Sequence, residues 1–154
     1  MEVMFDRVAG LDIGKASVTV CVRTPAAGRG RVSETRTFST MTRLLLVMRD
    51  WLLESGVTIA AMESTSTYWK GAFYCLEEVV ECWLLNAAHM KAVPGRKTDV
   101  RDAEWIAQLL EHGLLRPSFV PPADIRRLRM LTVYRVQLMG GRTPVSSCLS
   151  SPRA

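Results

Sequence analysis

Carboxylates placed at the ends of strands and helices can gather hard cations, and four acids of this chain have such places. The stretch "GRKTDVRDAEWIAQLL" (95–110) carries Asp99 and Asp102 three residues apart, with Arg96, Lys97 and Arg101 around them. Thr and Asp are favourable N-cap residues, and acids in a first turn complement the helix dipole, so capping alone is one reading of the pair. The spacing says more. With Thr98 or Asp99 as cap, the apolar stripe of the predicted helix runs Trp105, Ile106, Leu109, Leu110. Asp102 lies three and four residues before its first members and Asp99 one turn earlier, so both acids point inward. Glu104 and Glu111 read as the solvent-side acids of this helix. Inward like charges raise each other's pKa or recruit a cation.

Two further acids stand at strand ends. Asp12 closes the first apolar strand, directly before the turn "DIGK", and Glu63 closes "VTIAAME", with no basic neighbour before Lys70. The carboxyl ends of neighbouring parallel strands are where open α/β sheets bind ligands. Taken singly, Asp12 also fits turn chemistry and Glu63 a salt-bridged edge. Taken together, four oxygen donors without a nearby His or Cys select Mg²⁺ or Mn²⁺ over zinc. Two such ions stabilise the attacking and leaving oxygens of a phosphoryl displacement. Arg96, Lys97 and Arg101 would hold a phosphate backbone beside them.

The elements that must position these acids alternate along the chain. "RVAGLDIG", "ASVTVCVRT" and "RVSETRTF" read as three strands of an antiparallel meander, the last two joined by the Gly-rich turn "AAGRG". "TRLLLVMRDWLLES" puts Leu44, Leu45, Met48, Trp51 and Leu52 on one helical stripe, with Gly56 at C′. A buried strand to Glu63, a helix "STYWKGAFYCLEEV" opened by Ser or Thr, and the strand "VECWLLNAA" follow. Three strands and then strand–helix repeats describe an α/β domain with a mixed sheet.

Charge is unevenly spread over the 154 residues, whose net charge is +5. Residues 1–84 hold nine Lys/Arg against ten Asp/Glu, and residues 85–154 hold eleven against five. A basic half is the electrostatic footprint of a phosphate-rich partner, and its arginines, as in "DIRRLRMLTVYR", suit bidentate phosphate contact. The merely basic surface is the bland alternative. An apolar share of 48% with mean hydropathy +0.09 fits a globular chain. No apolar run reaches a membrane span, and the N-terminus lacks a secretory pattern. Cys21, Cys75, Cys82 and Cys148 form no CxxC pair and read as reduced thiols of a cytosolic protein. His89 and His112 are isolated and read as surface or helix-end residues. Trp51, Trp69, Trp83 and Trp105 read as packing, while Tyr68 follows the Glu63 strand end closely enough to line a site there.

"GLDIGKASVTV", "AMESTSTYW" and "NAAHMKAVPGRKTDVRDAEWIAQLLEHGLLRPSFVPP" resemble the DEDD transposases of bacterial insertion sequences, the IS-one-ten family. The resemblance covers about residues 7–139, and "PGRKTDVRDAEWIAQLL" is its most specific part. It implies a ribonuclease H-like, RuvC-type domain over residues 1–120, with Asp12, Glu63, Asp99 and Asp102 as catalytic, metal-binding acids. It also implies metal-dependent DNA strand cleavage and transfer with Mg²⁺ or Mn²⁺, a structured guide (bridge) RNA, and a homo-oligomer acting in the bacterial cytoplasm at the nucleoid. Arg96, Lys97, Arg101, Arg126, Arg127 and Arg129 are the residues expected to contact nucleic acid.

The family's arginine-rich helix begins at residues 121–139 and should continue as a charged amphipathic helix. Here "GGRTPVSSCLSSPRA" turns Gly-, Pro- and Ser-rich, so residues 140–154 are expected to be a disordered, non-family tail. The family's C-terminal domain with its nucleophilic serine is then expected to be missing, as in a truncated copy. Ser146, Ser147, Ser150 and Ser151 have no His partner and do not replace that serine. Two other readings remain in view. "LDIGKASV" resembles the first phosphate loop of the actin and sugar-kinase ATPases, but the second Gly-rich motif is absent. A non-catalytic nucleic-acid-binding or dimerisation module with the same fold is the stronger rival.

Overall fold

A computed structural model of the chain describes residues 2–64, 66–92 and 102–149, with side chains described for 2–64, 66–90 and 102–141. Two compact units divide it, residues 1–118 and 119–154. In the first, β1 (Val8–Ile13), β2 (Ser17–Pro25) and β3 (Arg31–Ser39) form the antiparallel meander that alternation predicts. The turn between β1 and β2 is closed by the Gly14 amide donating to Ser17 O at 2.9 Å. Asp12 is therefore inside β1, paired with Thr19, rather than part of that turn.

Helix α1 (Thr42–Glu54) buries Leu45, Met48, Trp51 and Leu52 as its stripe requires. It ends in a Schellman motif. Gly56, at φ 69°, donates to Leu53 O at 2.9 Å while Val57 donates to Leu52 O at 3.0 Å. Strand β4 (Ile59–Glu63) returns to the sheet, α2 (Trp69–Leu76) crosses over, and β5 (Glu81–Leu85) adds the last strand. The N-cap of α2 is Tyr68, with no side-chain cap hydrogen bond, where Ser or Thr was expected. Asn86 does cap α3 (Ala87–Ala92), its Oδ1 accepting from the Ala88 amide at 2.9 Å.

The strand order is β3-β2-β1-β4-β5. β1 pairs antiparallel with β2 and parallel with β4, and β4 pairs parallel with β5. A meander followed by two parallel crossovers produces this mixed sheet. Alternation then sends the two sets of side chains to opposite faces. Leu11, Val18, Val20, Ala60 and Met62 belong to the set opposite the one that packs under α4 (Asp102–Glu111). Under α4 lie Val8, Cys21, Ile59, Ala61 and Leu85, which form one core with Ala103, Ile106, Ala107 and Leu110.

In the second unit, α5 spans Ala123–Leu149. From Ala123 to Gly141 every side chain but Arg126 is exposed. Leu128, Met130, Leu131, Val133 and Tyr134 are among the exposed apolar residues of this helix. The helix also runs past Met139 through Gly140 and Gly141, where composition predicts disorder. No described helix is long and apolar enough to cross a membrane.

Candidate active site

Helix α4 lies on the sheet with its backbone nearly touching β1. A Cβ added at Gly10 would meet Ala103 O and stand 2.5 Å from the Ala107 amide nitrogen, so only glycine admits the helix at this height. The helix is anchored at its other end by Glu111, whose backbone oxygen accepts from the Met4 and Phe5 amides at 2.7 and 3.2 Å. Since Ala103 sits over Gly10 and Glu111 lies beyond Val8, α4 runs opposite to β1. Its first residue, Asp102, is thereby carried to the carboxyl end of that strand.

Asp12 and Glu63 stand at the same end. Leu11 is in register with Met62 across the parallel β1/β4 pair, and Asp12 and Glu63 are the next residues on each strand. Neighbouring strands run about 4.8 Å apart. Asp12 has the parity of Val8 and Gly10, and Glu63 has that of Ile59 and Ala61, so both lie on the α4 face. Both are half-buried, as is Asp102. Asp102 precedes Ile106 by one turn, which keeps it on the sheet side of the helix. The fold thus brings Asp12, Glu63 and Asp102 to one end and one face of the sheet.

Asp99, Arg96, Lys97 and Arg101 lie outside the described residues, as does the capping of α4 by Thr98 or Asp99. Among the described residues, no group of three His, Cys, Asp or Glu side chains is close enough to hold a metal ion. Arg126, Arg127 and Arg129 are described and do not form one stripe. Arg126 and Arg129 are three apart and neighbours on the helix surface, whereas Arg127 faces elsewhere. Arg126 is also held locally, its Nη1 donating to Pro121 O at 2.8 Å.

Sequence patterning misplaces one acid. Glu111 is 2% exposed, not solvent-facing. Arg23 grips it as a fork, Nε to Oε2 and Nη2 to Oε1, both at 2.9 Å. Arg31 Nε adds a third bond to Oε2 at 3.1 Å, and His112 Nε2 lies 3.4 Å from Oε1. Burial alone would raise the Glu111 carboxyl, but the Arg23 hydrogen bonds and the charges of Arg23, Arg31 and His112 outweigh it and hold it below the usual carboxylate value. Its hydrogen bond in turn raises Arg23. The signal lay in "SVTVCVRT", where Arg23 shares the parity of Cys21 on a face that a helix covers. A charge placed there needs a buried partner.

Among the described residues, Cys21, Cys75 and Cys82 show no reactive environment. Cys21 is buried, and burial pushes the Cys82 thiol up to about 12. Trp83 is packed edge-on against Phe5, and Trp51 lies tilted against Phe38, as packing residues should be. Tyr68, which follows the Glu63 strand end, is exposed.

Solved structures with the same arrangement include RuvC of Thermus thermophilus, 13% identical, covering 73% of this chain and 99% of that one with a TM-score of 0.52. A second is T. thermophilus RuvC in complex with a Holliday junction substrate, with the same identity and coverage and a TM-score of 0.50. At that identity the likeness establishes the ribonuclease H-like fold. No curated protein matches the sequence. The family model described as Transposase, that of DEDD transposases of IS-one-ten insertion sequences, matches residues 9–151, and this chain belongs to that family.

Proposed function

We propose that this domain is the metal-dependent DNA-cleaving and strand-transferring part of an insertion-sequence transposase, with Asp12, Glu63, Asp99 and Asp102 as its catalytic acids. The observation that carries this reading is the adjacency of Asp12 and Glu63 at the carboxyl ends of parallel neighbours, under the start of α4. The donors are all carboxylate oxygens, a set that fits Mg²⁺ or Mn²⁺ rather than zinc. When bound, a pair of such ions stabilises charge on the attacking and leaving oxygens of the phosphodiester. The acids' own task is to hold those ions in a fixed frame. Asp12 and Glu63 are rigid because the strands on which they stand are buried, and Asp102 is rigid because α4 is packed to backbone contact.

DNA is the proposed substrate, in keeping with the Holliday junction held by RuvC. The resemblance to the family adds a structured guide (bridge) RNA and assembly as a homo-oligomer. The basic second half of the chain supplies the phosphate-binding charge, through Arg96, Lys97 and Arg101, which flank Asp99 in the sequence, and Arg126, Arg127 and Arg129 on α5. The test is strand cleavage of branched and element-end DNA with Mg²⁺, by the chain with its guide RNA. Cleavage lost in Asp12→Asn and in Glu63→Gln, with nucleic-acid binding retained, supports the assignment. Binding with no metal-dependent cleavage under any of these conditions would assign the domain to the non-catalytic module instead.

A further inference from the structure

We infer that Glu111 and Gly10 are positioning residues for the acid cluster: they fix where α4 holds Asp102 against Asp12 and Glu63. This rests on the metal reading above. Glu111 is nine residues from Asp102, roughly 13 Å along a helix rising 1.5 Å per residue. It cannot touch an ion bound near Asp102. What it does is lock the far end of the same rigid element. Three guanidinium nitrogen bonds from Arg23 and Arg31, on β2 and at the start of β3, fix α4 along its axis. Gly10 fixes its height, because the backbone at Ala103 and Ala107 rests on the strand with no side chain between.

The two contacts differ in chemistry but constrain one body. Ala103, the residue on Gly10, is the immediate neighbour of Asp102, and Gly10 is two residues before Asp12 on the same face. A methyl at Gly10 would have to lift the start of α4, by about 1 Å to reach ordinary contact, and would move Asp102 away from the strand acids. In a formed metal site the ligand distances lie within about 0.2 Å of their ideal values, so a shift of that helix start matters. Release of the Glu111 lock would let the helix slide, with the same effect from the opposite end.

The experiment measures Mn²⁺ affinity of the full chain by the paramagnetic signal of the free ion, with circular dichroism and melting temperature on each sample. Gly10→Ala and Glu111→Gln are expected to weaken Mn²⁺ binding at least tenfold in chains that remain folded. Glu111→Asp, which keeps the charge, is expected to recover most of the affinity, and Gly10→Ala carries the test alone should Glu111→Gln not fold. In an Asp102→Asn background, Glu111→Gln should change affinity no further, because it acts through Asp102. Melting temperatures that fall while Mn²⁺ affinity stays within twofold of wild type would overturn the inference and leave the metal reading intact. Wild-type chain that binds no Mn²⁺, or binding untouched by Asp12→Asn, would overturn the metal reading and this inference with it.

Discussion

Glu111 is the residue on which the energetics of the α4 face turn. A buried pair broken from one side leaves charge uncompensated, a cost of about 3–5 kcal/mol. Glu111→Gln removes the charge while Arg23 and Arg31 stay in place, so it should lower stability by about that amount in denaturant unfolding. The pH dependence follows from the lowered Glu111 value. The pair contributes fully above the ordinary carboxyl pKa of about 4.3 and loses its contribution as pH falls through the lower folded value. Melting temperatures from pH 7 to pH 3 should therefore fall more steeply for wild type than for Glu111→Gln. Equal slopes would show that the carboxylate is not selectively stabilised by folding. At the other end of α4, Mg²⁺ or Mn²⁺ should raise the wild-type melting temperature by mass action, and Asp12→Asn or Glu63→Gln should abolish that response. A rise that survives both substitutions would place the bound ion elsewhere.

At the scale of elements, α1 and α4, on opposite faces of the sheet, finish in the same way. Gly113, at φ 67°, donates to Leu110 O at 3.0 Å and Leu114 donates to Leu109 O at 3.0 Å, repeating at α4 the Schellman ending that Gly56 provides at α1. An L side chain in this conformation costs about 1–2 kcal/mol. Gly56→Ala should destabilise by that amount, measured by equilibrium unfolding, without changing Mn²⁺ affinity. The contrast with Gly10→Ala is the informative part. Gly10 has ordinary β geometry and is glycine because of what lies above it, so its substitution should affect the acids as well as stability. Loss of Mn²⁺ affinity in Gly56→Ala would show that general loosening of the domain, and not the seat of α4, controls the cluster.

For the whole molecule, the division of charge sets how it would meet nucleic acid on the proposed reading. Residues 1–84 are nearly neutral and residues 85–154 carry the excess of Lys and Arg. Binding that neutralises several phosphates releases counterions, so affinity should fall steeply with salt, by about 10³ or more between 50 and 200 mM for six contacts. Charge reversal at Arg129, which is exposed and shares a helix side with Arg126, should weaken binding to all sequences about equally. Titration at several salt concentrations reads both effects. A nearly flat salt dependence would mean that phosphate contacts do not drive association.

The short-range order of this fold was legible in the sequence because its signals are local. Period-two alternation marked β1, β2 and β3, the stripe from Leu45 to Leu52 marked α1, and the apolar run before Glu63 marked β4. Asp12 and Glu63 were likewise legible, since a strand end is a position along the chain. The family resemblance was carried by contiguous motifs and is borne out by the match over residues 9–151. What depended on elements distant in sequence was not legible. Glu111 sits on the flank of its helical stripe, and only the arrival of Arg23 and Arg31, 88 and 80 residues earlier in the chain, makes it a buried acid. Gly10 looked like any small residue in a strand until α4 was laid on it. Neither the parallel register that sets Asp12 beside Glu63 nor the antiparallel run of α4 that brings Asp102 to them is encoded in any one segment. Both arise when the sheet is assembled, because burial of the two faces allows one register and one seat for the helix.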